Sequence, residues 1–402
     1  MKRTFSYQAA RSPLGFVLLL FLSLACTQAQ QPEDDTSEAL AKRVIVGAER
    51  LDQYLLYVQN KTTAVVANQA SMVGDKHLVD TLLSLGGNVK YILCPEHGFR
   101  GDAEAGEHVK DGIDPSTGLP IISLYGSNKK PKAEQLKGID QVVFDLQDVG
   151  CRFYTYISTL HYVMEYCAEN QVPLIVLDRP NPNAGYVDGP VMEKEYCSFV
   201  GMHPGVPVVY GMTIGEYAQM INGEKWLAHG AECQLFVVTL QNYTHQTPYS
   251  LPIPPSPNLR TDHAIALYPS LCLFEGTNVS VGRGTRYPFE WVGSTSYNDP
   301  DNYFSFQVKT GKATAGHTVY HGLDLRDVEV KPCFDLTYLI KMYQHSNKST
   351  FFLKNNFFEK LAGTAELRKQ IVQGVSQEDI RATWQPGLER FRSIREKYLL
   401  YD

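Results

Sequence analysis

Positive charge is not in excess in this chain. Its 402 residues hold 37 Lys and Arg against 43 Asp and Glu, a formal net charge of −6, so nothing points to a nucleic-acid partner. No G-x-G-x-x-G follows the first apolar run, and no G-x-x-x-x-G-K-S/T occurs anywhere. The glycine-rich cradles of nucleotide cofactors are therefore missing, and no cofactor is expected. Closely spaced cysteines are missing too. After Cys26 the thiols stand at 94, 151, 167, 197, 233, 272 and 333, an odd count that argues against a disulfide framework and a zinc knuckle. Cys94 and Cys272 sit in apolar runs and Cys167 in a predicted helix, so buried free thiols are expected, although an exported protein could hold one or two bridges. No internal repeat is present. Past the N-terminal leader no stretch is apolar for long enough to cross a membrane.

What is present suits a two-domain globular protein. The length exceeds that of one typical domain, and a hydrophobic content of 44% can build real cores. The 24 Tyr and 18 Phe fit large cores, or a carbohydrate-binding cleft. Lys2, Arg3 and Arg11 precede an apolar run from Leu14 to Ala25, the pattern of an export signal. It ends in Ser23-Leu24-Ala25-Cys26, similar to a lipoprotein box, in which Cys26 becomes the lipidated N-terminus; cleavage after Thr27-Gln28-Ala29 is the competing reading. A polar, acidic tether follows. Residues 1–43 are thus read as signal and tether, with a periplasmic location and Cys26 as the membrane link. The stiff proline-rich stretch from Thr247 to Asn258 reads as a domain junction, giving domains 44–246 and 247–402.

Along the first domain, apolar runs alternate with helical spacing. Strands are expected at Thr63–Ala67, Val89–Cys94, Leu119–Tyr125, Gln141–Leu146, Leu174–Asp178 and Leu235–Leu240. Helices are expected at Lys76–Leu85, Lys132–Lys137, Tyr156–Asn170 and from Thr213, where Thr213 and Glu216 form a capping box. Strands that are apolar throughout, alternating with helices, predict an α/β fold with a parallel sheet covered on both faces. Asn68, Glu96, Asp145 and Asp178 then lie at the carboxyl ends of their strands, where such sheets bind ligands. A long polar loop from Pro95 to Gly118 holds Asp102, Glu104, Glu107, His108, Asp111 and Asp114. Helices are also expected at Asp335–His345, Gln377–Trp384 and Gly387–Tyr398.

Glu96 is the candidate general acid or base. Pro95 stops its strand, Gly98 and Gly101 let the backbone turn, and apolar neighbours would favour its neutral form. Glycoside hydrolysis needs paired carboxylates, and Asp145 and Asp148 are the candidate partners, although Asp145 could instead cap the Gly150 turn. His97 is either a second polar contact or support for its loop. Arg100, Arg152 and Arg283, in three separate polar loops, could fork onto an anionic substrate group. Glu96, His97, His108 and Asp145 could surround a metal, but the short helical histidine spacings are absent, and no metal is expected.

Ten motifs occur in order over nearly the whole chain past the leader. They are Pro95-Glu96-His97-Gly98-Phe99-Arg100-Gly101, Thr117-Gly118-Leu119-Pro120, Ser123-Leu124-Tyr125-Gly126, the run from Phe144 to Tyr156, Leu177-Asp178-Arg179-Pro180-Asn181-Pro182, Asp188-Gly189-Pro190, Gly211-Met212-Thr213, Pro255-Ser256-Pro257-Asn258, Phe274-Glu275-Gly276-Thr277-Asn278 and Gly282-Arg283-Gly284-Thr285. With them the chain resembles the bacterial exo-β-N-acetylmuramidases of the NamZ type. The resemblance implies a Rossmann-like domain, a smaller C-terminal α+β domain and a cleft between them. It implies release of N-acetylmuramic acid from the non-reducing ends of peptidoglycan fragments, with a peptidoglycan-derived sugar or muropeptide as partner. Glu96 maps onto the glutamate of the P-E-H-G motif and takes the acid/base role, with Asp145 or Asp148 as second carboxylate or orienter. Substrate contacts are expected from His97, Arg100, Arg152, Asn258, Asn278, Arg283 and Thr285. The chain departs from the family pattern at Cys151, where a small Ala is expected, and at Val281, where some relatives carry Glu. The rival readings are a non-catalytic muropeptide-binding lipoprotein and a metal-dependent hydrolase.

Overall fold

Strands without a polar face need cover on both sides, and alternate side chains show where it comes from. In Thr63–Ala67, a strand buried along its whole length, Ala64 and Val66 enter one core and Val65 and Ala67 the other. The computed structural model describes residues 43–100, 111–302, 304–309 and 316–402. The leader with Cys26 lies outside them, as do Asp102, Glu104, Glu107 and His108.

Thr63–Ala67 is the middle of a seven-stranded sheet. To one side lie Gln141–Asp145, Leu174–Leu177 and Leu235–Val238; to the other lie Val89–Cys94, Pro120–Ser123 and the short Gly112–Ile113. All pair in parallel except Gly112–Ile113, which is antiparallel to its neighbour. The strand ends carrying Asp178, Asp145, Asn68 and Glu96 therefore leave the sheet in that order along one edge. Helices Leu51–Asn60 and Leu78–Ser84 bury Tyr54, Val58, Leu78 and Leu82 in one core. Tyr156–Asn170 and Ile214–Gly223 bury Leu160, Val163, Met164, Tyr217 and Ile221 in the other. The capping box at Thr213 forms as expected, with Glu216 Oε2 accepting from the Thr213 N–H at 2.8 Å.

One expected helix does not form. Lys132–Lys137 lies in a run of turns. The helix expected from Lys76 starts at Leu78 instead, after a small hairpin of Met72–Val73 and Lys76–His77. His77 caps it, Nδ1 accepting from the Val79 N–H at 3.2 Å while Nε2 donates to the Asn68 carbonyl at 2.9 Å.

The smaller C-terminal domain has a three-stranded antiparallel sheet, Trp291–Ser294, His317–Asp324 and Ser305–Lys309 in that spatial order. The same part of the chain holds helices Asp262–Leu271, Thr337–Gln344, Phe357–Ala362, Glu366–Gln373, Gln377–Ala382 and Gln385–Arg395. Its apolar residues Leu271, Phe274, Phe289 and Phe358 belong to the same core as the sheet residues Val142 and Phe144. The chain end returns to the first domain, where the Tyr401 hydroxyl donates to Asp178 Oδ2 at 2.6 Å. The seven described cysteines form no disulfide, and five of them are buried.

Candidate active site

The Val89–Cys94 strand delivers Glu96 through a tight turn. The Gly98 N–H donates to the Pro95 carbonyl at 3.2 Å, and His97 at φ 74° is followed by Gly98 at φ 77°. A positive φ at the third residue is the type II pattern, which normally asks for Gly. Here a buried histidine takes the position, a local strain of the kind kept at functional sites.

The turn projects Glu96 into a cavity of about 530 Å³. Tyr125, Thr155 and Phe199 line it together with Asn258, Arg260, Glu275, Arg283 and Thr285. Phe153, Tyr154, Tyr156, Tyr268 and Phe289 give it aromatic walls packed edge to face. Thr155 is the N-cap residue of Tyr156–Asn170, yet its hydroxyl does not cap that helix; it donates to Glu96 Oε2 at 3.1 Å. The Tyr125 phenol stands near Glu96, and burial together with that carboxylate pushes the phenol up.

Of the residues expected at the site, Glu96, His97, Asn258, Arg283 and Thr285 line the cavity. Arg283 is not free there. Its Nε and Nη2 contact Glu275 Oε1 at 2.6 and 2.5 Å, and it lies over the Phe289 ring. The Thr285 hydroxyl donates to the Gly282 carbonyl at 2.6 Å.

Five expectations need correction, because tertiary contacts consume the groups. Asp145 is fully buried in a two-point ion pair, accepting from Arg179 Nε and Nη2 at 2.5 and 2.9 Å. Asp148 is buried against the Tyr210 hydroxyl and the Gly150 N–H, and burial pushes its carboxyl up to about 7. Neither reaches the cavity as a partner for Glu96. Arg152 is the largest fully buried side chain. Its guanidinium donates to the carbonyls of Pro190, Val206, Leu361 and Ala362 at 2.7–2.9 Å, and burial pushes it down to about 9. Arg100 lies outside the cavity lining and forks onto Asp114 at 2.9 and 3.3 Å. Asn278 is turned to Thr350 and Ser294.

Tyr125, Thr155, Arg260 and Glu275 are among the cavity residues that stand outside the expected set. Glu96 and Glu275 are the two carboxylates of the lining among the described residues. Arg260 donates from Nε to the Pro257 carbonyl at 2.6 Å and has no carboxylate partner among the described residues. Its signal lay in the sequence, two residues past Asn258 at the end of the proline-rich junction. Of the histidine–carboxylate set considered for a metal, Asp145 is committed to Arg179 and His108 is outside the described residues. No metal-type cluster of His, Cys, Asp or Glu occurs among the described residues.

The sequence profile of the N-terminal domain of exo-β-N-acetylmuramidase NamZ matches residues 63–263, and that of its C-terminal domain matches residues 266–401. The chain belongs to the NamZ family. It is 36% identical to the peptidoglycan β-N-acetylmuramidase NamZ of Bacillus subtilis (strain 168), over 96% of this chain and 97% of that one. Two crystal structures of DUF1343 family proteins from Bacteroides fragilis share the fold. One is 43% identical with a TM-score of 0.81, covering 90% of this chain and 99% of its own. The other is 29% identical with a TM-score of 0.76, covering 90% and 100%.

Proposed function

We propose that the protein is an exo-acting glycoside hydrolase that releases N-acetylmuramic acid from the non-reducing ends of peptidoglycan fragments. The observation that carries this reading is the cavity carboxylate Glu96, which accepts from the Thr155 hydroxyl at 3.1 Å and stands beside the Tyr125 phenol. In the reaction Glu96 gives its proton to the glycosidic oxygen as the bond to the anomeric carbon breaks. Water adds to that carbon, and the sugar leaves as a free reducing end. The aromatic walls suit the apolar faces of a sugar ring.

Arg260 supports the choice of sugar. The lactyl ether of muramic acid ends in a carboxylate, and Arg283 is already paired with Glu275. That leaves the Arg260 guanidinium to take the lactyl group. Glu275 is the protein's candidate for the second carboxylate; the alternative is participation by the sugar's own 2-acetamido group.

The test is release of reducing N-acetylmuramic acid from the disaccharide N-acetylmuramyl-N-acetylglucosamine. Wild-type protein is expected to turn it over, before and after exhaustive chelation. Glu96→Gln is expected to fold normally and lose about 10³-fold or more in kcat. A folded wild-type protein without turnover would make this a binding lipoprotein. Loss of activity on chelation, restored by metal, would make it a metal-dependent hydrolase.

A further inference from the structure

The surface beside Glu96 continues past the cavity. Tyr125, which lines the cavity with Glu96, lies 6.2 Å from the ring of Phe199. Phe199 in turn stacks on Tyr162 at 6.3 Å, with 22° between the rings. Phe199 lines the first cavity; Tyr162 lines a second, shallower one of about 620 Å³ together with Lys129, Lys130 and Lys132. The Lys129 ammonium sits 4.6 Å over the Phe199 ring, a placement that holds a partly desolvated cation against an aromatic face. Glu165 and Glu169 also face this shelf, and both bind Lys130, at 3.4 and 2.7 Å. Lys129 and Lys132 pair with no carboxylate among the described residues.

We propose that this shelf of lysines and stacked aromatics binds the leaving portion of an acidic glycan, beginning at the sugar next to the scissile bond. The inference rests on the proposed hydrolysis. Glu96 protonates the oxygen that departs, so the leaving chain starts at Glu96 and Tyr125, and the surface it meets next is Phe199 and Tyr162. A neutral N-acetylhexosamine can lie on those rings. A peptide-free peptidoglycan strand carries a lactyl carboxylate on every second sugar, so the residue beyond brings an anion towards Lys129 and Lys132. Three lysines within four positions repel one another, and the two glutamates compensate the middle one alone. An incoming anion relieves the rest.

The experiment compares the disaccharide with the tetrasaccharide that repeats it, using wild-type protein and the double variant Lys129→Ala/Lys132→Ala. The variant is expected to keep wild-type kcat/KM on the disaccharide. On the tetrasaccharide it should lose about 3- to 10-fold, in KM and not in kcat, the size expected for two partly exposed charge contacts. Raising salt from low to about 0.5 M should shrink the wild-type preference for the longer substrate. Equal kcat/KM for variant and wild type on the tetrasaccharide, or an equal loss on both substrates, would overturn the shelf. Calorimetric binding of both glycans to Glu96→Gln protein, with and without the lysine changes, keeps the two proposals separate. Wild-type protein inert on the disaccharide would refute hydrolysis, and the shelf would then stand or fall on whether the lysine changes weaken tetrasaccharide binding.

Discussion

Glu96 and Asp145 leave the same edge of one sheet, yet their surroundings give them opposite uses. Asp145 meets Arg179 in a closed two-point pair, and removing either partner would strand a buried charge. Glu96 meets the Thr155 hydroxyl, stands beside the Tyr125 phenol and faces the cavity. Glu275 is the other acid within that cavity. Glu275→Gln should lower kcat by about 10²-fold or more if the protein supplies the second carboxylate; a loss below about tenfold would assign that role to the sugar's acetamido group. Asp148 leaves a different trace. With its carboxyl at about 7, the folded protein holds a proton that an unfolded chain, with a carboxyl near about 3.9, releases. Between about pH 4 and 7 the folded state thus binds more protons, and this group's contribution to stability falls as pH rises through that window. Asp148→Asn should flatten that part of the profile, seen as a smaller difference in denaturation free energy between about pH 4.5 and 7.5. Parallel profiles for wild type and variant would count against it.

At the scale of elements, the tie between distant segments is a buried cation without a carboxylate. Arg152 starts next to the Gly150 turn and reaches carbonyls on both sides of the domain junction, at Pro190 and Val206 and at Leu361 and Ala362. Charge is compensated by dipoles, and four carbonyls depend on one side chain. Arg152→Ala would leave them unpaired beside a void, so a loss of roughly 3–5 kcal/mol is expected, measured by urea denaturation. A loss below about 1 kcal/mol would show that the carbonyls find other partners. The sequence could place this arginine in a polar loop, but local pattern does not say which way a long side chain turns. The same holds for Arg100, which Asp114 takes. Most elements of the parallel sheet were legible, whereas the Leu51–Asn60 and Asp262–Leu271 helices and the three strands of the C-terminal sheet were not anticipated. The Tyr156–Asn170 helix and the Thr213 capping box follow from apolar spacing and side-chain caps acting over a few residues. The short Lys132–Lys137 segment was not legible: six-residue helices do form at Phe357–Ala362 and Gln377–Ala382, so in so few residues local propensity does not decide and tertiary packing does.

The whole molecule makes the cavity from both halves of the chain. Glu96 and Thr155 are 59 residues apart, and Arg260, Glu275 and Arg283 arrive from beyond the proline-rich junction. The chain end is part of the same construction. Tyr401 donates to Asp178, which also accepts from the Thr213 hydroxyl and the Gly215 N–H and so anchors the Ile214–Gly223 helix to its strand. Tyr401→Phe should cost about 1–3 kcal/mol through a buried carboxylate that loses a donor, read as a lower denaturation midpoint. An unchanged midpoint would mean that the chain end does not hold this helix.

By itself the sequence determined the parallel sheet, the edge on which Glu96 emerges, and part of the cavity lining: His97, Asn258, Arg283 and Thr285. The sheet and its edge follow from short-range pattern, in which apolar runs make buried strands and their polar ends collect on one edge; Arg283 came from its polar loop, and Asn258 and Thr285 from the family resemblance. Tertiary structure alone decided which charged groups stay available. Asp145, Asp148, Arg100 and Arg152 found buried or local partners; from the other half of the chain the cavity received Arg260, with no carboxylate partner among the described residues, and Glu275, paired there with Arg283. A charge is spent or spared by what stands within about 3–4 Å of it, and only folding brings those neighbours together.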